Sequence, residues 1–138
     1  MKHLSYESGE GIYRIEADVL ICGSDISIAI CGGDTPHIGA VALASPRTSL
    51  ADKEKTSASA SVICVTGHKE DELARAAALK LAARFSCQTA VAAGIHIDDA
   101  SEDDIKVLWK NYETVMVMIM EGLDVHLRKR QQPKTNVI

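Results

Sequence analysis

Residues 11–31 have the sequence GIYRIEADVLICGSDISIAIC, and this stretch decides the fold class. Apolar and β-branched residues alternate imperfectly with polar ones in Gly11–Cys22, and the same pattern returns in Ile26–Cys31. The Gly-Ser-Asp sequence between them favours a tight turn. The stretch therefore predicts a β-hairpin.

Two more strands and a polar segment follow the hairpin. Residues 32–36 (GGDTP) form a second turn sequence, and His37–Ala44 (HIGAVALA) is a third strand candidate. Arg47–Ser59 is rich in Ser, Thr, Lys and Asp, has Leu50 as its only large apolar residue, and predicts a long loop. Ala60–Val65 (ASVICV) then predicts a fourth strand.

The periodicity changes to that of a helix in the second half of the chain. Apolar residues recur at every fourth position in His68–Phe85, which predicts an amphipathic helix. A second helix is predicted from Ser101 to about Leu123, because Ser101 and Asp104 resemble a capping box. Gly122 is expected to end or loosen this helix.

A fifth strand, Thr89–Ile95 (TAVAAGI), lies between the two helices and is apolar on both faces, as in a central strand. The element order is then β-β-β-β-α-β-α. It predicts an α+β, two-layer fold with a mostly antiparallel sheet packed by two helices, in which the last strand pairs parallel to the fourth. No linker or repeat divides the sequence, so residues 1–138 are expected to form a single domain with a basic tail over about residues 128–138.

The second helix is apolar over more of its surface than one sheet requires. Its stripe contains Trp109, Tyr112, Met116, Ile119 and Met120. Surplus apolar helix surface usually marks an interaction site, so the stripe predicts a homodimer that uses this helix.

Composition excludes several classes of protein. The net charge is −4 and aromatic residues make up only 4%, which argues against nucleic acid as a partner. Neither a membrane-spanning stretch nor an apolar leader is visible, so no membrane partner and a cytoplasmic location are expected. The four cysteines occur singly, without a C-x-x-C pair, which argues against a cysteine zinc site.

Three short motifs place a glycine near a histidine at the predicted strand ends: residues 32–39 (GGDTPHIG), 66–69 (TGHK) and 94–99 (GIHIDD). Glycine lets the backbone approach a ligand, and N–H groups at a strand-to-helix junction can hold an anion. A turn, a capped helix start and a histidine–aspartate hydrogen bond explain the same motifs without a ligand. His96 and Asp98 would need a third ligand to hold a metal ion, and no metal site is predicted.

These motifs, with Pro46 and Arg47 between the first two, resemble the prenylated-flavin chaperone domain. That domain occurs in the small D subunit of gallate- and hydroxybenzoate-type decarboxylase systems. The resemblance extends from about Gly11 to Leu123, and the family is similar in fold to small proteasome-assembly chaperones, which are dimeric. Ile97 stands where an aromatic residue is typical of the family, so ring stacking is not expected at this position.

The resemblance implies a non-catalytic helper that binds prenylated FMN, or a precursor such as FMN, and assists its delivery to a decarboxylase client. The cofactor phosphate would suit Arg47 and Lys69, because charge-assisted hydrogen bonds to phosphate are strong. No catalytic residue is implied. The candidate cofactor-binding residues are Gly33, His37, Arg47, Ser49, Gly67, His68, Lys69, His96 and Asp98.

Two alternatives stay open. An enzyme on the same scaffold would act on the phosphorylated cofactor with His37, His68 or His96 as acid or base. A pure protein-assembly chaperone would bind no ligand and would present a flat apolar dimer face. We expect the three histidines to converge on one surface, and the Arg47–Ser59 loop to become ordered when a flavin binds.

Overall fold

A computed structural model describes residues 1–65 and 70–131, with side chains described as far as Leu127. Within these ranges the strands are β1 (Lys2–Ser8), β2 (Ile15–Cys22), β3 (Asp25–Gly33), β4 (Ala40–Thr48), β5 (Thr56–Cys64) and β6 (Thr89–His96). The helices are α1 (Asp71–Phe85) and α2 (Glu102–Gln131). A 3-10 turn, Gly11–Tyr13, stands where the sequence predicted the start of its first strand, which is β2 in the structure.

The strands form one sheet in the order β1-β2-β3-β6-β4-β5. All neighbouring strands are antiparallel except β3 and β6, which are parallel. The partner of β6 differs from the sequence prediction, since β6 lies between β3 and β4 rather than beside β5. A strand that is apolar on both faces is best removed from water at the centre of a sheet, and α1 provides the crossover that brings it there.

Both helices cover the same face of the sheet. Along β4 the small residues Ala40, Ala42 and Ala44 are buried, and α1 packs against β4, β5 and β6. The other helix, α2, packs against β1 and β2. This arrangement confirms the α+β, two-layer fold with a mostly antiparallel sheet.

The N-terminal strand β1 was not anticipated from the sequence. Leu4 and Tyr6 point toward the core, whereas His3, Ser5 and Glu7 between them are exposed. Only two apolar residues alternate with polar ones here, and an alternation this short is not enough to predict a strand.

The predicted Arg47–Ser59 loop is shorter than expected, because strand occupies both of its ends. β4 continues to Thr48 and β5 begins at Thr56, so residues 49–55 alone connect them. Arg47 pairs in register with Ser57, and its Nε donates a hydrogen bond to Ser59 Oγ at 2.8 Å. An exposed hairpin at a sheet edge needs few apolar residues, so its composition resembles that of a loop.

The start of α2 agrees with its sequence signal, but its end does not. Ser101 N–H donates to Asp104 Oδ2 at 2.9 Å, and Asp104 N–H donates to Ser101 Oγ at 3.1 Å, which confirms the capping box. The helix continues through Gly122 to Gln131. No described helix is long and apolar enough to span a membrane.

The apolar stripe of α2 is used mainly within the chain. Tyr112, Met116 and Ile119 were predicted to cover a second subunit, but they are buried in the core formed with the sheet. Trp109 remains half-exposed. Three of the five stripe residues are therefore core residues of the single chain, and a dimer that uses α2 remains a prediction.

Candidate functional site

The ends of β3 and β6 meet at the first glycine motif. Gly33 has a φ of +87°, and a Cβ at this position would overlap the carbonyl group of His96. The Asp34 N–H donates to that same carbonyl oxygen at 2.9 Å. Only glycine allows this close approach of the two backbones, so the turn sequence has a structural requirement.

Asp34 joins this turn to the segment after β6. Its carboxylate accepts the N–H of Asp98 at 2.9 Å and the hydroxyl of Thr35 at 2.9 Å. The backbone hydrogen bond from Asp98, followed by that from Thr35, lowers the pKa of Asp34, because both bonds favour the ionised carboxylate. Asp34 therefore fixes the position of Asp98.

His37 is held on both sides of its ring. Its Nδ1 lies 2.9 Å from the carbonyl oxygen of Thr35, and its Nε2 lies 2.8 Å from Glu70 Oε1. A carbonyl oxygen only accepts, so the contact with Thr35 requires the proton on Nδ1, and Nε2 faces the Glu70 carboxyl group. The side chains of His37 and Glu70 are only 18% and 13% exposed. This pair joins the segment before β4 to the start of α1.

Two further glycines make room for this pair. A Cβ at Gly94 would overlap the carbonyl group of His37, and a Cβ at Gly39 would overlap the carboxylate of Glu70. Both glycines lie in the motifs that the sequence singled out. Their role in the structure is to let the His37 segment cross closely over β6.

His96 lies beside His37 at the end of β6. The two ring centroids are 6.3 Å apart, with the rings nearly perpendicular. His96 Nε2 lies 2.8 Å from Asp98 Oδ1, and the His96 side chain is 49% exposed. Of the three histidines predicted to converge, His37 and His96 do so, whereas His68 lies outside the described residues. We call Gly33, His37, Glu70, His96 and Asp98 the histidine cluster.

An open groove of about 1060 Å³ separates the N-terminal parts of α1 and α2 and ends at the histidine cluster. Ile95 and His96 contribute to it from β6. Beyond the groove the helices are joined by Arg84, which donates to Asp124 Oδ2 at 2.7 Å. The apolar residues that α2 contributes are Ile105, Leu108, Trp109, Tyr112, Met116, Val117 and Met120.

Trp109 provides an aromatic surface in the groove. Its side chain is 52% exposed, and its ring centroid lies 5.3 Å from that of Tyr112. Burial raises the pKa of Tyr112 to about 12, so this ring stays neutral. The indole is thus supported on one side and accessible to a planar ligand on another.

The described ionisable groups around the groove are mainly acidic. Glu70, Glu72 and Glu113 contribute carboxyl groups, whereas Lys80 contributes an ammonium group and His96 an imidazole. The groove therefore suits an apolar ring system better than a cluster of anionic groups.

Residues 9–124 match the model of a protein family described as the prenylated flavin chaperone LpdD-like domain. The chain belongs to this family. The matched range agrees with the resemblance seen from Gly11 to Leu123, and it includes both the histidine cluster and the groove. Strand β1 precedes the part that matches the LpdD-like domain.

The LpdD-like domain also has a structural relative among proteasome-assembly chaperones. It is similar to a chain of a chaperone complex for yeast 20S proteasome assembly, with a TM-score of 0.56 and 15% identity. The similarity covers 91% of this chain and 97% of that chain. The fold likeness predicted from the sequence is thereby confirmed. No curated protein matches the sequence.

The structure brings together only some of the predicted cofactor-binding residues. Gly33, His37, His96 and Asp98 lie in the histidine cluster. Arg47 is seven residues along β4 from Ala40, a distance of about 23 Å at the usual rise of a strand, and Ser49 follows β4 at that far end. The structure therefore separates Arg47 and Ser49 from the cluster.

The remaining predictions fall outside the described residues. Gly67, His68 and Lys69 lie in the gap at residues 66–69, and the basic tail at about 128–138 lies beyond the last described side chain. Among the described side chains, no group of three or more His, Cys, Asp or Glu residues could hold a metal ion.

Three residues that shape the site were not among the sequence candidates. Glu70 pairs with His37, and this pairing depends on the tertiary fold. Trp109 had been assigned to a dimer stripe. Lys80 lies on the polar side of α1, where nothing local distinguishes it. The apolar surface of α2 is broader than one sheet requires, and this was the one feature of the sequence that could have indicated a groove.

Proposed function

We propose that this single-domain chain is a non-catalytic cytoplasmic chaperone that binds prenylated FMN, or FMN, in the groove between α1 and α2 and delivers it to a decarboxylase client. The observation that supports this most strongly is an open apolar groove with a half-exposed Trp109, in a chain of the LpdD-like family. The prenylated flavin supplies the chemistry of the client's reaction, and this chain binds, orients and releases it.

The groove has the size and lining that a flavin ring requires. Its volume of about 1060 Å³ is at the upper end of the roughly 300–1,000 Å³ usual for small-molecule sites. The apolar side chains of α2 suit a prenylated ring, and the Trp109 indole can stack on it. Since the groove is open along one side, the ligand can leave without unfolding of either helix.

The phosphate has fewer partners than the ring. Lys80 is the described lysine that lines the groove, and Glu70, Glu72 and Glu113 line the same groove. Lys69 remains a predicted phosphate ligand, as the sequence proposed. Incomplete neutralisation of a phosphate lowers affinity, which suits a carrier that must transfer its cargo.

His96 supports a second candidate, catalysis on the phosphorylated cofactor. Asp98 engages Nε2, and Nδ1 of His96 has no hydrogen-bond partner among the described residues. Both ring nitrogens of His37, in contrast, contact oxygen atoms of the protein. An acid–base role in this chain would therefore fall to His96. Recovery of chemically unchanged flavin after incubation supports the chaperone, whereas conversion that His96→Asn abolishes supports the enzyme.

Two adjacent residues of α2 provide a matched test of the groove. Val117 lines it and is 48% exposed, whereas Met118 is 37% exposed and does not line it. Val117→Glu places a charge in the ligand's path and should weaken flavin binding at least about tenfold, and Met118→Glu should leave it unchanged. Calorimetric titration with FMN and with prenylated FMN measures both. Wild-type affinity in Val117→Glu, or no binding of either flavin by the wild-type protein, contradicts the proposal.

The same titration shows whether the phosphate binds in the groove, near Lys80, or at the far end of the sheet, near Arg47. Lys80→Gln removes a charge-assisted contact of about 1.5–3 kcal/mol and should weaken phosphate-dependent binding about ten- to a hundredfold. Arg47→Ala should change nothing if the flavin occupies the groove, but should weaken binding if the sequence-based assignment is correct. Loss of affinity in Arg47→Ala alone would move the site to the β4–β5 hairpin.

A further inference from the structure

Tyr112 places a polar group in the apolar lining of the groove. The residue is only 7% exposed, yet its hydroxyl makes no hydrogen bond to any other residue in the part of the chain that the structure describes. A buried tyrosine hydroxyl usually has a partner, because the removal of an unbonded hydroxyl from water costs free energy. The Tyr112 hydroxyl is therefore a hydrogen-bonding group that the fold itself does not use.

This hydroxyl can still be reached from the groove. The Oη atom of Tyr112 is not among the fully enclosed polar atoms that lack a hydrogen bond, so it reaches open space although the ring is buried. Tyr112 lines the groove together with Trp109, which lies three residues earlier on the same face of α2. A ligand in the groove can therefore meet the hydroxyl.

The Tyr112 hydroxyl keeps its proton and can donate it. Burial raises the pKa of Tyr112 to about 12, and no neighbouring charge or hydrogen bond contributes to this rise. A phenol with such a pKa is neutral at physiological pH, so it offers an O–H donor. The partner that it lacks is an acceptor atom on an otherwise apolar ligand.

We propose that the Tyr112 hydroxyl donates a hydrogen bond to a carbonyl oxygen of the flavin pyrimidine ring, an inference that rests on the proposed function. Both FMN and prenylated FMN carry such oxygens at C2 and C4, at the end of the ring system remote from the dimethylbenzene ring. The ring centroids of Trp109 and Tyr112 are 5.3 Å apart, so a ring stacked on the indole has its edge beside the tyrosine.

This hydrogen bond gives the groove a specificity that apolar contacts lack. It orients the flavin with its pyrimidine ring at Tyr112, and it disfavours flat apolar molecules that have no acceptor at that edge. A neutral hydrogen bond that replaces one to water contributes modestly to binding, so its loss should weaken affinity about three- to tenfold.

Two tyrosines of the chain provide a matched test. Tyr112→Phe should weaken FMN binding about three- to tenfold without lowering the melting temperature, because the hydroxyl has no partner in the described part of the fold. Tyr13 Oη donates to Asp104 at 2.6 Å and does not line the groove. Tyr13→Phe should therefore lower the melting temperature and leave the affinity unchanged. Calorimetric titration with FMN and thermal unfolding without ligand measure the two effects.

The same bond can be weakened from the side of the ligand. Sulfur accepts hydrogen bonds poorly, so 2-thio-FMN or 4-thio-FMN should bind the wild-type chain less tightly than FMN, whichever carries sulfur at the engaged carbonyl. In Tyr112→Phe, both analogues should bind as FMN does. This pattern identifies the carbonyl as well as its donor.

Failure of this inference can be distinguished from failure of the proposed function. Wild-type FMN affinity in Tyr112→Phe, or equal sensitivity to sulfur with and without the hydroxyl, would overturn the role of Tyr112 and leave the groove as the flavin site. A lower melting temperature in Tyr112→Phe would overturn it too, since the hydroxyl would then support the fold. No binding of FMN or prenylated FMN by the wild-type chain would contradict the proposed function, and this inference with it.

Discussion

Gly94 shows at the scale of single residues how the histidine cluster depends on close backbone contact. The His37 segment crosses β6 at this glycine, and no side chain fits between them. The sequence identified Gly33, His37, His96 and Asp98 because glycine next to histidine is a local pattern. It did not identify Glu70 as the partner of His37, because that contact depends on where α1 starts relative to β4.

Replacement of Gly94 by alanine tests this contact. We expect Gly94→Ala to lower the free energy of unfolding by about 3 kcal/mol, since the new Cβ overlaps a backbone carbonyl that cannot move without displacing β6. Gly23→Ala is the control: Gly23 has a φ of +66° but open space around it, so only backbone strain of about 1 kcal/mol is expected. Urea denaturation measures both. Equal losses of unfolding free energy in the two variants would contradict a close backbone contact between the His37 segment and β6 at Gly94.

The first turn of α2 is the element whose structure the sequence predicted best. The capping box depends on residues three apart, so local chemistry was sufficient to locate it. Strand β1 and the outer part of the β4–β5 hairpin (residues 45–48 and 56–59) were missed because exposed strands contain few apolar residues. The end of α2 was missed because Gly122 was interpreted as a helix-ending residue. In the structure a side chain at this position would overlap Tyr6 of β1, and this contact cannot be seen from the local sequence.

The capping box predicts a specific dependence of stability on pH. Tyr13 Oη donates to Asp104 Oδ1 at 2.6 Å, and this bond, followed by those from Ser101, lowers the pKa of Asp104 below its ordinary value of 3.8. A carboxyl group with a lowered pKa in the folded state stabilises the fold above its unfolded pKa, and this contribution is lost as pH falls through the folded pKa. Asp104→Asn should therefore be less stable than wild type at neutral pH, with the difference shrinking below pH 3.8. Thermal unfolding at several pH values measures it, and a difference that is independent of pH would contradict this assignment.

The effect of Gly122→Ala on stability should have opposite signs in the wild-type chain and in a Tyr6→Ala background. A Cβ at this position would overlap the Tyr6 ring and hydroxyl, so Gly122→Ala should destabilise the wild-type chain by about 1–3 kcal/mol. In a Tyr6→Ala background the space is open, and the same change should stabilise the chain by up to about 1 kcal/mol, because alanine is the better helix former. Chemical denaturation of the four variants completes the cycle. Destabilisation of similar size in both backgrounds would rule out the contact as the reason for the glycine.

For the whole molecule, the sequence predicted the class of fold but not its functional surfaces. Local periodicity indicated strands, helices and their order, and the family resemblance was confirmed over residues 9–124. The position of β6 between β3 and β4 depends on long-range pairing, which periodicity does not encode. Tertiary packing likewise decides that Tyr112 and Met116 are core residues, that Trp109 lines a groove, and that Arg47 lies far from His37.

The side of the molecule that holds the ligand can be measured directly. Backbone amide chemical shifts recorded by NMR during titration with FMN and prenylated FMN report which side the ligand contacts. We predict that shifts change along residues 72–80 and 105–120, which border the groove, and at His96. Shifts at Val41, Leu43 and Ile63, which are exposed on β4 and β5, should remain constant. Changes confined to these three residues or to the connection between β4 and β5, with none along the groove, would contradict the claim that this chain holds a flavin between its two helices.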